Sequence, residues 1–179
     1  MADSTTPYAG ESPQRLTDLI NSDNGSSLQL GVDFTFGPPS TYSDKLGRNT
    51  KVSMIPVPGS PWTHNEVIHY TRLALTVLND LPSGWVRAVE IQSIPFTLSG
   101  MLAAINEALG LNLSVAEIVD TVYDNAQGSY RLPINNAVSL AWIDSEFSFK
   151  AIFPGGDIPL ASAIVKSVLS GLTYLQPSP

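Results

Sequence analysis

Apolar residues recur along this chain with two periods, three-to-four and two, and the switches between them divide it into elements. Ser12 before Pro13 reads as a helix start, with a hydroxyl for an orphan amide and a proline preset for the first turn. Leu16, Leu19 and Ile20 form its apolar stripe, and Asn24-Gly25 within 21–27 ends it. The period changes to two over 28–36, where Val32, Phe34 and Phe36 oppose Asp33 and Thr35, and Gly37-Pro38-Pro39 stops the strand. A polar loop over 40–50 follows, and a second alternating run, 51–55, ends at Pro56-Val57-Pro58-Gly59. Residues 66–75 are rich in β-branched and aromatic side chains and predict a strand, with a helix over 67–77 as the alternative. A turn over 81–84 precedes a weaker strand over 85–91.

Helical spacing is clearest where Leu98, Met101, Leu102, Ile105 and Leu109 run into Gly110. Ser114 and Glu117 then have capping-box spacing, Leu113 and Ile118 can staple, and Val115, Ile118, Val119 and Val122 share a face. Two short helices joined this tightly predict an αα-hairpin, lying on the sheet that follows. That sheet is expected over 130–134, 138–143 and 147–153, the last two forming a hairpin through Asp144-Ser145-Glu146. Phe147, Phe149, Ala151 and Phe153 face inward from it, and Trp142 is a core residue. Asp157 and Pro159 open a final helix with Leu160, Ile164, Val165, Val168 and Leu169 inward, closing near Gly171.

The expected class is therefore α+β: antiparallel sheets with about four short helices, including a central αα-hairpin packed on a C-terminal β-hairpin. One domain spans 13–176 with a possible seam near 81–84, and 1–12 and 177–179 read as arms. Such arms have nothing of their own to bury, and they order against neighbouring chains.

Composition narrows the partners. Sixteen acidic against nine basic residues give a net charge of −7, which opposes nucleic acid and anionic membrane surfaces. Only 14% of the residues are charged, so the surface is cheap to desolvate and suits permanent protein contacts, although an ordinary soluble monomer has the same composition. No cysteine is present, which removes thiolate chemistry and disulfides. The N-terminus lacks a secretory pattern, and no run approaches the ~18 apolar residues of a membrane span. Asn24-Gly25-Ser26 and Asn112-Leu113-Ser114 match the glycosylation pattern but read as a turn and a helix start.

Candidate chemistry is thin. His64 and His69 are five apart, without the i, i+4 spacing of a zinc-binding helix, and no phosphate-cradling, dinucleotide or nucleophile-elbow motif occurs. Asp120 with Asp124, and Asp144 with Glu146, are the carboxylate pairs that could serve a hydrolase, each placed where solvated acids are common. Asp18, Asp23 and Asn24 lack the ligand spacing of a calcium loop. No catalytic, cofactor-binding or metal-ligating residue is assigned, and no cofactor or small-molecule substrate is expected. Trp62 and Tyr42 lie in polar, proline-containing loops and suit anchors in a subunit interface or a carbohydrate platform, or fold back on their own core. With Tyr8, Pro38 and Pro39 they are the interface candidates.

The strings Leu16-Thr17-Asp18-Leu19-Ile20-Asn21, Phe34-Thr35-Phe36-Gly37, Gly47-Arg48-Asn49-Thr50-Lys51-Val52 and Tyr70-Thr71-Arg72-Leu73 occur in an order with a known likeness. With Gly110-Leu111-Asn112-Leu113, Ser139-Leu140-Ala141-Trp142-Ile143 and Gly171-Leu172-Thr173-Tyr174, the chain resembles a family of small, uncharacterised virion structural proteins of large tailed bacteriophages. The likeness runs from Arg15 to Tyr174 and departs at Asp144, where glycine is expected. It implies a component of a phage head, collar, tail or baseplate, assembled in the host cytoplasm from contacts with other virion proteins or copies of itself. A carbohydrate- or receptor-binding module using Trp62 and Tyr42 is the alternative, and a carboxylate hydrolase the third.

Overall fold

The computed structural model describes residues 10–80 and 88–153. The first layer begins with α1 (Ser12–Asn24) and continues through β1 (Phe34–Phe36), β2 (Ser40–Thr41), β3 (Thr50–Pro56) and β4 (Glu66–Tyr70). Helix α1 starts with Pro13 in its first turn and ends on Gly25, whose φ of 61° is the left-handed cap that glycine adopts without strain. Strand β3 organises the sheet: it pairs antiparallel with β1 and β2 along one edge and with β4 along the other. Its alternation is visible in burial, since Thr50, Val52 and Met54 are buried while Lys51 and Ile55 are exposed. Leu16, Ile20, Phe34, Val52, Met54 and Tyr70 close this layer into a small apolar cluster with Leu140.

The second layer contains β5 (Leu73–Ala74), β6 (Ala88–Glu90), β7 (Phe96–Thr97), α2 (Leu98–Leu109), β8 (Val122–Tyr123), β9 (Tyr130–Arg131), β10 (Trp142–Ile143) and β11 (Ser148–Ile152). The Thr97 hydroxyl accepts from the Gly100 amide at 3.0 Å and caps α2, which buries Leu98, Leu102, Ile105 and Leu109. Around the fully buried Tyr130 ring stand Phe96, Tyr123 and Phe149, with centroids 5.1, 5.1 and 5.9 Å away. Trp142, Phe147 and Leu132 complete this larger core.

The αα-hairpin is not formed. Among the described residues there are two α-helices and two 3-10 turns, at Leu75–Asp80 and Val115–Glu117. After that second turn Ile118 is extended and bridges Ile134, while the Val119 amide donates to the Pro133 carbonyl at 3.0 Å. The β-branched run favours this extended path, and Val115, Val119 and Val122 remain exposed instead of forming an inward face. Nor do 138–143 and 147–153 form a hairpin. Strand β10 pairs parallel with β5, and β11 lies between β6, parallel, and β9, antiparallel. Asp144 is occupied in holding Arg131 and the Ile134 amide at 2.8 and 3.0 Å, so the segment it opens is a brace, not a tight turn.

Ser12 does not cap its own helix, because its hydroxyl donates to Glu117. Leu19 is exposed and Thr17 buried, so the stripe of α1 is Leu16, Thr17 and Ile20. The run 28–36 is broken by a turn at Gly31, which leaves Val32 in solvent and confines the strand to β1. In 66–75 the strand reading holds through Tyr70, and the polar loop over 40–50 contains β2. The expected helix at 157–171, the seam at 81–84, and the arms' residues 1–9 and 177–179 lie outside the described residues.

A polar junction joins the two layers. Arg72, only 4% exposed, donates from Nε to the Thr50 hydroxyl at 2.9 Å and from Nη1 to the carbonyls of Asn136 and Ser139 at 2.8 Å each. The Ser139 hydroxyl in turn donates to Glu117 at 2.8 Å and accepts from the Trp142 amide at 3.2 Å. Glu117, 5% exposed, also accepts from the Ser12 hydroxyl and from the amide and hydroxyl of Ser114 at 3.0 and 3.2 Å. Arg15 adds a cation–π contact from α1, its guanidinium 5.4 Å from the centre of the Trp142 ring. Tyr70 crosses the same boundary, donating to the Leu140 carbonyl at 2.8 Å.

Removing either anchor strands buried polar partners, a loss of about 1–3 kcal/mol for each group left unmade. Arg72→Met and Glu117→Ala should each lower the unfolding free energy by about 3 kcal/mol. In urea titrations the double variant should lose less than the sum, because both act through Ser139. Burial pushes the Tyr70 hydroxyl from 10.0 up to about 12. The bias it contributes is complete below pH 10 and is lost as pH rises through the folded value. Ultraviolet titration should thus show a tyrosine that ionises only near pH 12, and Tyr70→Phe should remove that step.

Candidate functional site

A cleft of about 420 Å³ opens where the end of α1 meets β1, the end of β3 and the start of β4. Ile20, Phe34, Met54 and Ile68 make an apolar floor, and Asp33, Trp62, His64, Asn65 and Glu66 stand around the rim. The loop that carries Trp62 is tied down before it reaches the cleft. The Val57 amide donates to the Asp33 carbonyl at 3.0 Å, and Gly59 turns the chain at φ 89°. Trp62 is 52% exposed, yet its indole N–H donates to Asp33 Oδ1 at 3.0 Å. Asp33 Oδ2 takes the Gln29 amide at 2.8 Å, so one carboxylate fixes both walls. His64 holds a φ of 66°, a left-handed conformation costly for a non-glycine residue, with its Nδ1 3.1 Å from the Thr63 hydroxyl.

The other sequence candidates fall elsewhere. Tyr42 stacks on His69, ring centroids 4.1 Å apart, on the face of the sheet opposite Met54 and Ile68. It cannot share a platform with Trp62, and the two histidines are likewise on opposite faces. Pro38, exposed, and Pro39, buried, line a separate apolar groove of about 430 Å³ with Leu30, Phe36, Val138 and Leu140. Tyr8 lies outside the described residues. The interface candidates therefore mark three places, not one.

Asp120, Asp144 and Glu146 of the carboxylate pairs are engaged in bracing. Asp120 accepts from the amide and hydroxyl of Ser99 at 2.9 and 2.6 Å, which holds its carboxyl below the ordinary 3.8 and caps α2 from across the chain. Arg131 spans Asp144 and Glu146 at 2.8 and 3.5 Å. Among the described residues no three His, Asp or Glu side chains gather as a metal site, and no helix is long and apolar enough to cross a membrane.

One feature escaped the sequence reading. Leu46 lies in a stretch read as a plain polar loop, and it is the most exposed large apolar side chain described, at 78%. Its turn is highly ordered: Asp44 Oδ1 accepts the amides of Leu46 and Arg48 at 2.9 and 3.1 Å, and Oδ2 takes Arg48 Nε at 2.5 Å. Gly47 closes the turn at φ 76°. The available signal was a single leucine between Asp44 and Gly47, two residues that build turns.

Partial burial alone would raise the Asp44 carboxyl, but the hydrogen bonds from Arg48 and Leu46 outweigh it and hold the group below 3.8. A depressed carboxylate contributes order above its unfolded value and loses it as pH falls through the folded one. In an NMR titration the Leu46 and Arg48 amides should move together with a midpoint below pH 3.8, and Asp44→Ala should abolish that transition.

No curated protein and no solved structure matches this chain. A family model described only as a family of unknown function, DUF7941, matches residues 5–178, and the chain belongs to that family.

Proposed function

We propose that the chain is a structural component of a tailed-bacteriophage virion and works by packing against other virion proteins, copies of itself included. The observation that carries the packing role is the placement of apolar side chains in solvent on ordered backbone: Leu46 at 78%, Val122 at 61%, Val32 at 59% and Trp62 at 52% exposed. Single exposed apolar residues are ordinary. Here, however, Leu46 and Trp62 stand on loops braced by the carboxylate of one aspartate each, and pre-ordered anchors of this kind suit an interface. The address in a phage particle rests on the sequence likeness over residues 15–174. The net charge of −7 fits a protein partner better than DNA.

The carbohydrate reading draws support from Trp62 alone, half exposed over its cleft. It predicts glycan-array binding that Trp62→Ala abolishes.

Quantitative mass spectrometry of purified particles should find the chain in a fixed, multicopy ratio to the other virion proteins. Recovery only in the unassembled host fraction would reject the virion role.

A further inference from the structure

We propose that the Lys45-Leu46 turn of one copy seats in the Trp62 cleft of a second copy, joining copies head to tail. The inference deepens the packing role and rests on it for its setting. Four observations converge. First, the turn is a preformed knob: Leu46 points outward while Asp44 and Gly47 hold the backbone, so little freedom is lost on docking. Second, the cleft offers what such a knob lacks, an apolar floor of Ile20, Phe34, Met54 and Ile68 in a volume of about 420 Å³, ample for a branched aliphatic side chain.

Third, the charges are complementary. Lys45 is exposed and makes no ion pair among the described residues, whereas the charge of Arg48 is already spent on Asp44. The cleft rim carries Asp33 and Glu66, and Glu66 is exposed. A cation beside an apolar knob matches carboxylates beside an apolar floor, which sets orientation as well as attraction.

Fourth, the two features lie at opposite ends of one ribbon. Thr50 faces Tyr70 at the end that carries the Lys45-Leu46 turn, and Met54 faces Glu66 at the cleft end. The four residue steps of β3 between those pairs span about 13 Å at 3.3 Å per residue, so a copy does not fill its own cleft. Each copy presents both halves of the contact, which is the heterologous arrangement that closes into rings or extends into filaments. A single knob buries little area, so free copies associate weakly and a closed or scaffolded assembly gains by avidity.

The absence of native cysteine makes the contact directly testable by crosslinking. Lys45→Cys and Glu66→Cys, both at exposed positions, are made separately and together, with circular dichroism and melting curves checking the fold. Under mild oxidation the double variant should give a ladder of covalent oligomers. A mixture of the two single variants should give chiefly the 45-to-66 heterodimer, identified by mass spectrometry of the linked peptides. Adding Leu46→Asp to the Lys45→Cys chain should cut that heterodimer at least tenfold. The inference is overturned if the yield matches that of a control pair, Lys51→Cys with Glu66→Cys, or survives Leu46→Asp unchanged. Because the readout uses purified chain, it can fail while incorporation into particles stands, and incorporation can fail while the crosslink forms.

Discussion

The two apolar cores of this protein are held in register by Ser139, a residue with one carbonyl and one hydroxyl to give. Its carbonyl accepts from Arg72 and its hydroxyl donates to Glu117, and those two side chains are almost fully removed from water. Among the described residues no ion pair joins them: Arg72 donates to neutral oxygens, and Glu117 accepts from neutral donors. Such an arrangement tolerates little displacement, because every shift leaves a buried donor or acceptor without its partner. The parallel pairing of β5 with β10 lies beside it, since it sets Leu73, the neighbour of Arg72, opposite Trp142.

The junction meets the β3–β4 ribbon at Thr50, and beyond each end of the ribbon lies a loop whose anchor side chain, Leu46 or Trp62, belongs to neither core. At one end the Asp44 turn holds an apolar side chain in solvent; at the other, the Asp33 carboxylate braces Trp62 over an apolar floor. Both use the same device, an aspartate that satisfies backbone amides or an indole and so stiffens a loop that has no core of its own. Order in these loops is local and electrostatic, whereas order at the junction is buried and cooperative.

Much of the local structure is legible in the residues. The helices over Ser12–Asn24 and Leu98–Leu109 follow from their apolar spacing, Pro13 in the first turn of one, and their glycine stops, and the alternation around Val52 and Met54 gives the central strand. The failures share a cause: the expected hairpins assume that neighbours in sequence pair in space. Glu117 does form the capping box with Ser114 that its spacing announces, but on a 3-10 turn and not an α-helix, and its other partners, Ser12 and Ser139, are 105 and 22 residues away. The same holds for Ser12, read as a cap and used as a cross-brace. For the site, Trp62 stood out as an aromatic in a polar loop, and its separation from Tyr42 depended on which face of the strand each occupies. Leu46 was invisible because a lone apolar residue in a polar run has no period to mark it.

The distance in sequence between Arg72 and Ser139, 67 residues, also bears on how the chain is made. As it leaves the ribosome, the first layer emerges with a guanidinium whose one acceptor there is the Thr50 hydroxyl, and its Nη1 waits for the 136–142 segment, so its own sheet gains little by closing early. Contacts of such long separation slow folding and favour a single late, concerted step over layer-by-layer growth. A chain that stays open until nearly all of it has been synthesised would expose its docking surfaces only as a finished unit, which keeps half-built copies out of any assembly.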